Sequence, residues 1–212
     1  MRVTTATLLV LAATTLAAQA GSPLPGRIEI HAVKSRTVTG DEFLRADAPG
    51  RDVILGGELR LPVGAPQKVP VVILIHGSGG ISAGPDAWAR TLNEAGVGAF
   101  ILDTFTGRGI VSTIEDQEQL NSLAMMVDAY RALDVLAAHP RVRADRIAVM
   151  GFSKGAVAAV YSASERFRST YGGANGFAAH IGFYTPCNVT YRDDTRLVQR
   201  QSASFTALAT TT

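Results

Sequence analysis

Residues 147–163 leave this chain little choice in how it folds. Ile147-Ala148-Val149-Met150 is a short, unbroken apolar run, as in a strand buried on both faces. From Gly155 the chain reads Gly-Ala-Val-Ala-Ala-Val-Tyr-Ser-Ala, as in a helix packed closely against a sheet. Only the segment Gly151-Phe152-Ser153-Lys154 separates the two. A turn that tight needs flanking residues with almost no side chain, and glycine stands at both 151 and 155. Gly-x-Ser-x-Gly between a strand and a helix holds the serine hydroxyl up at the sheet's carboxyl edge and aims the first N–H groups of the helix at whatever that hydroxyl attacks. The bare pattern also arises by chance in a chain with 21 glycines. The strand–turn–helix setting gives it meaning and makes Ser153 the candidate nucleophile.

A second signal lies upstream. Residues 69–75, Val-Pro-Val-Val-Ile-Leu-Ile, form a continuous β-branched run that ends in His76-Gly77-Ser78-Gly79-Gly80. A glycine-rich loop after a strand suggests phosphate binding, but this one is not G-x-x-x-x-G-K-[ST]. Nor is it G-x-G-x-x-G, because Ser82 stands where the third glycine belongs. With an elbow further along the chain, the loop fits the other half of an oxyanion hole. The backbone N–H of Lys154 would pair with that of Ser78, with Gly79 as the near rival. His76 is read as a brace for the loop and not as a catalytic group.

These motifs resemble the α/β-hydrolase superfamily and, within it, the dienelactone hydrolase family, over roughly residues 50–200. Asp103-Thr104-Phe105-Thr106-Gly107-Arg108-Gly109 is also similar to the family's segment after the next strand. The resemblance implies an α/β fold: a mostly parallel sheet with helices on both faces, here with the C-terminal strands missing. It implies hydrolysis of an ester, lactone or other small acyl substrate, with no cofactor. The family's namesake carries cysteine at the nucleophile, so Ser153 favours a general acyl hydrolase over one for dienelactone.

The other segments agree. Residues 27–32 and 53–61 alternate as antiparallel entry strands, and residues 97–102 read as the next buried strand. Residues 86–95 read as a helix ending at Gly96. Residues 117–139 read as a long helix with Leu120, Leu123, Met126, Val127, Tyr130, Leu133 and Leu136 on one face, ended by Pro140. Residues 177–184 read as the strand after the elbow helix. With 212 residues, 47% apolar and 18% charged, the chain is expected to be one globular domain. A net charge of +2 with scattered basic residues points away from nucleic acid. Oligomeric state is not readable.

The first twenty residues are set apart from the domain, which spans 21–212. Met1-Arg2 is a short positive start, Val3 to Ala17 carries no charge, and Ala18-Gln19-Ala20 is an A-x-A cleavage site. This predicts a secretory signal peptide cut after Ala20 and a periplasmic or secreted protein. The apolar stretch is short for a membrane span and no stop-transfer cluster follows it.

In the family's fold the acid and the histidine of a triad follow the serine in that order. Here His31, His76 and His139 precede Ser153, and His180 sits inside a predicted strand. Asp193 and Asp194 come one strand too early for the acid. The triad acid and histidine are therefore expected beyond residue 200. The uncharged tail from Gln201 to Thr212 bears on this. Its codons, read from the third base of each, allow an apolar strand ending His-Gly-x-Gly-Asp-Asp-Tyr. That is similar to the segment carrying the family's catalytic aspartate. The expectation is a frameshifted or prematurely ended copy of a longer hydrolase. Cys187 is the single cysteine, and a free thiol, an intermolecular bridge or a partner in the missing part are all open. One cysteine and four dispersed histidines show no metal-ligand spacing. Two function classes follow: a serine hydrolase, or an inactive fragment or binding module on the same scaffold.

Overall fold

The computed structural model describes residues 26–46, 50–65, 68–186, 188, 190–192 and 195–198. The expected leader, Cys187, Asp193, Asp194 and the tail from residue 201 lie outside the described residues. In chain order the elements are β1 (Arg27–Thr37), α1 (Gly40–Arg45), β2 (Arg51–Leu61), β3 (Val69–Ile75), α2 (Ala83–Glu94), β4 (Gly98–Asp103), α3 (Ser122–Ala137), β5 (Val142–Phe152), α4 (Lys154–Tyr161), α5 (Glu165–Tyr171) and β6 (His180–Phe183). Short 3-10 turns occupy Thr106–Arg108 and Gln117–Gln119.

The six strands form one sheet in the order β1-β2-β4-β3-β5-β6. β1 and β2 run antiparallel, as does β2 against β4. From β4 to β6 the neighbours are parallel. The unbroken apolar run of β3 has a simple cause. Val71, Ile73 and Ile75 belong to the core that α3 and α4 share with the sheet, while Val72 and Leu74 belong to the core on the face that carries α2. Both faces are covered, so neither can be polar. The chain leaves β3 for β4 on one side and then returns to β5 on the other. The carboxyl ends of β3 and β5 flank that reversal, which is where open parallel sheets place their binding crevices.

Boundaries differ from the sequence reading for local reasons. The long helix begins at Ser122 and not near 117, because the Asn121 side chain accepts from the Ala124 N–H at 2.8 Å and caps it there. The expected apolar face is buried as read: Leu123, Met126, Val127, Tyr130, Leu133 and Leu136 are all closed to solvent. α2 starts at Ala83 because Pro85 falls in its first turn, where no N–H is needed. Two short helices carry no readable periodicity. α1 is set by a capping box between Thr39 and Glu42, and its Phe43 packs against Phe167 and Tyr171 of α5 at ring separations of 5.0 and 4.1 Å. Among the described residues, no helix is long and apolar enough to cross a membrane.

Candidate active site

The end of β5 passes into α4 through one residue, Ser153, with φ 51° and ψ −116°. A non-glycine residue held there stores strain on the order of 1–3 kcal/mol, so its surroundings must fix it. Its N–H donates to the Phe183 carbonyl at 3.0 Å and its carbonyl accepts from Ala156 N–H at 2.9 Å. A side chain at Gly155 would place a Cβ 2.4 Å from the His76 carbonyl oxygen, and one at Gly151 would meet the Gly155 carbonyl at 2.0 Å. The two glycines thus let the helix start lie directly on the end of β3. The N–H groups of Lys154 and Gly155 fall in the first turn of α4, where no intrahelical acceptor exists, so they are free to meet a ligand oxygen.

The loop after β3 lies against this turn. A Cβ added at Gly77 would stand 3.3 Å from the Ser153 Cβ. Residues 77–80 form a tight turn closed by Gly80 N–H donating to the Gly77 carbonyl at 3.1 Å. His76 is almost wholly buried, and both its ring nitrogens are engaged. Nδ1 donates to the Gly77 carbonyl at 2.8 Å, and Nε2 accepts from the Thr104 hydroxyl at 3.1 Å and the Thr104 N–H at 3.3 Å. Burial pushes its pKa down, against the hydrogen bond to Gly77 and the charge of Asp103. A neutral imidazole with both nitrogens spoken for braces a loop and takes no proton from Ser153.

His180 lies elsewhere. It pairs in register with Val149, whereas Phe183 pairs with Phe152. That sets it three residues toward the amino edge of the sheet, roughly 10 Å from the level of the elbow. Its Nδ1 faces the Ser162 hydroxyl at 2.8 Å, and burial pushes its pKa down to about 4. His31 and His139 face Glu29 of β1. Among the described residues, no histidine is placed to act as a base on Ser153.

Sequence reasoning singled out Lys154 for its amide and missed its side chain. The ammonium is buried and donates to the Gln117 carbonyl at 2.6 Å and the Thr113 hydroxyl at 3.2 Å. Gln117 Oε1 accepts from the Ser78 hydroxyl at 2.8 Å, and the Ser78 carbonyl accepts from Thr113 N–H at 2.8 Å. Lys154, Gln117, Ser78 and Thr113 therefore close a ring that ties both candidate amide donors to the loop after β4. Burial lowers the lysine pKa, with Asp116 opposing. The base of the same loop is fixed by Arg108, whose guanidinium meets both carboxylate oxygens of Asp128 at 2.8 and 2.9 Å with both side chains fully enclosed.

A cleft of about 400 Å³ opens over Ser153. Trp88, Pro85, Ile114, Phe152 and Tyr184 supply its apolar walls, and none of the described residues lining it is Asp, Glu, Lys or Arg.

A family model described as the dienelactone hydrolase family matches residues 55–207. Among solved structures, m3DLH is 22% identical with a TM-score of 0.56, the match covering 87% of this chain and 69% of that one. A dienelactone hydrolase-like promiscuous phosphotriesterase from metagenomic libraries is 20% identical, with a TM-score of 0.55 and coverage of 86% and 68%. The α/β hydrolase GrgF from Penicillium sp. sh18 is 19% identical at a TM-score of 0.51, covering 75% of this chain and 46% of that one. At these identities the likeness is one of fold. No curated protein matches the chain.

Proposed function

The chain belongs to the dienelactone hydrolase family, and on that footing we propose that it is a serine hydrolase of uncharged, apolar carboxylic esters or lactones. The observation that carries the reading is Ser153, held strained at the carboxyl edge of β5 with the 76–80 loop packed against it. In this reading the Ser153 hydroxyl attacks the carbonyl carbon. The oxygen that gains charge is met by the Lys154 and Ser78 N–H groups. The alcohol leaves, and water releases the acyl group from Ser153 in a second step. No described histidine is placed to take the Ser153 proton, so this reading still requires a base and its acid partner. The apolar cleft supports the substrate class: with no cation among the described residues lining it, a substrate carboxylate would be stripped of water and left unpaired.

The test is covalent. Incubation of a version extended by a histidine-bearing segment with an activated phosphonate ester is expected to give one adduct, on the peptide bearing Ser153, and none in its Ser153→Ala variant. Absence of that adduct, while an active family member labels under the same conditions, would leave the inactive-scaffold reading instead. Hydrolysis of a short-chain activated ester by the 212-residue chain is expected to fall at least about a thousandfold below that of a version extended by a histidine-bearing segment, because triad members acting together supply most of the acceleration. We further infer export, from the residue 1–20 pattern. N-terminal sequencing of the mature protein is expected to begin at Gly21, and retention of Met1 in a cytosolic fraction would overturn it.

A further inference from the structure

The geometry points to a second site, on the edge strand β1, four strands across the sheet from the strand that leads to Ser153: Glu29, His31 and His139 form a three-ligand site for zinc or another late first-row divalent cation. Glu29 and His31 lie two apart on β1 and so share one face of it. His139 follows α3, just before the chain enters β5. Glu29 Oε2 stands 3.1 Å from His139 Nε2 and 3.3 Å from His31 Nε2, and one ligand atom from each of the three residues lies within 4.8 Å of the other two.

Those separations are informative. Zinc bonds of about 2.0–2.1 Å to nitrogen and oxygen at tetrahedral angles put neighbouring ligand atoms about 3.3 Å apart. One hydrogen bond accounts for the Glu29–His139 contact, but not for His31. Its Nε2 is shielded from solvent and has no hydrogen-bond partner, although it faces the same carboxylate oxygen. A buried ring nitrogen without a partner is costly, and a metal ion in the convergence point would satisfy it. The two imidazoles meet edge to face, 5.5 Å apart at 83°. The other carboxylate oxygen of Glu29 is held by Arg27 at 2.9 Å, an outer contact of the kind that orients metal ligands. Two imidazoles and one carboxylate select late first-row ions over magnesium or calcium, and three protein ligands leave a fourth position for water.

Binding has one identifiable cost. The Arg141 N–H donates to His139 Nδ1 at 3.2 Å. Nδ1 must take the proton when Nε2 binds metal, so this contact is given up and the affinity falls accordingly. Spacing along the chain does not show the site, because 110 residues separate Glu29 from His139.

The purified protein, stripped with chelator and titrated with zinc chloride alone, is expected to bind one equivalent by calorimetry and by elemental analysis after desalting. Zinc at a hundredfold excess over its dissociation constant should raise Tm by about 5–10 °C. His31→Gln and Glu29→Gln should each weaken binding at least about tenfold. Cobalt in place of zinc gives a readout on the unmutated protein: visible bands of a four-coordinate ion that bleach on adding zinc. No bound zinc, zinc binding unchanged in both variants, or only the spectrum of hydrated cobalt would overturn the proposal. None of these readouts depends on Ser153.

Discussion

A methyl group at position 155 would sit 2.4 Å from the carbonyl oxygen of His76 and 2.6 Å from that of Ile75. Gly155→Ala is therefore expected to push the start of α4 off β3 and to lower stability by about 1–3 kcal/mol, as overpacking does. Urea unfolding checks this, and an unchanged midpoint would contradict the close approach. The pair Arg108–Asp128 offers a second test. Its side chains are 1% and 0% exposed, and Asp128 also accepts from Ser35. Asp128→Asn leaves a buried guanidinium without its charge partner and should cost about 3–5 kcal/mol. The two residues differ in legibility. The elbow could be read because its chemistry is local, five residues whose spacing already implies a turn. Asp128 looked like one more polar residue on a helix, because its partner comes from a loop 20 residues away.

At the scale of elements, the loop between β4 and α3 is fastened by Arg108 at its base and, near its far end, by Lys154 together with Ser78. Lys154→Met removes the lysine's part of the far-end fastening and also removes a buried charge, so the global unfolding midpoint should move little. The amides of residues 111–117 should exchange at least about tenfold faster, since hydrogen bonds to a charged group contribute about 1.5–3 kcal/mol each. Hydrogen exchange with mass readout decides it; equal exchange in both proteins would mean the lysine holds nothing. The sheet and its three larger helices were legible as alternating apolar runs, because each must bury a continuous face. α1 and α5 were not. Each is too short for a periodicity to emerge, and both exist because Phe43, Phe167 and Tyr171 pack on one another across 120-odd residues of chain. The Thr39-x-x-Glu42 capping box was the one local sign of either.

For the whole molecule, the buried histidines set a pH dependence. His180 is held near a pKa of about 4 and His76 is also pushed down, both chiefly by burial, against about 6.5 in an unfolded chain. Between those values the unfolded state binds protons that the folded state refuses. Stability is then fully present above about pH 6.5 and is lost as pH falls toward 4, with His180 alone worth about 3 kcal/mol across the window. Urea midpoints should drop steadily as pH falls from 6.5 to about 5.5, before the ordinary carboxylates begin to take up protons. His180→Gln should flatten part of that slope even if it lowers stability throughout. An unaltered slope would assign the effect to other groups.

Lys154 also bears on inheritance. Its amide serves whatever residue occupies the position, but its ammonium serves only Gln117 and Thr113, which lie 37 and 41 residues away along the chain. A lineage that swaps the lysine for an apolar residue must rebuild the loop in the same step or soon after. One that keeps the lysine keeps that end of the loop in place, while Arg108 and Asp128 still hold its base. Because the acceptor at 117 is a backbone carbonyl, residue 117 can change identity under the lysine, whereas 113 must keep a hydroxyl.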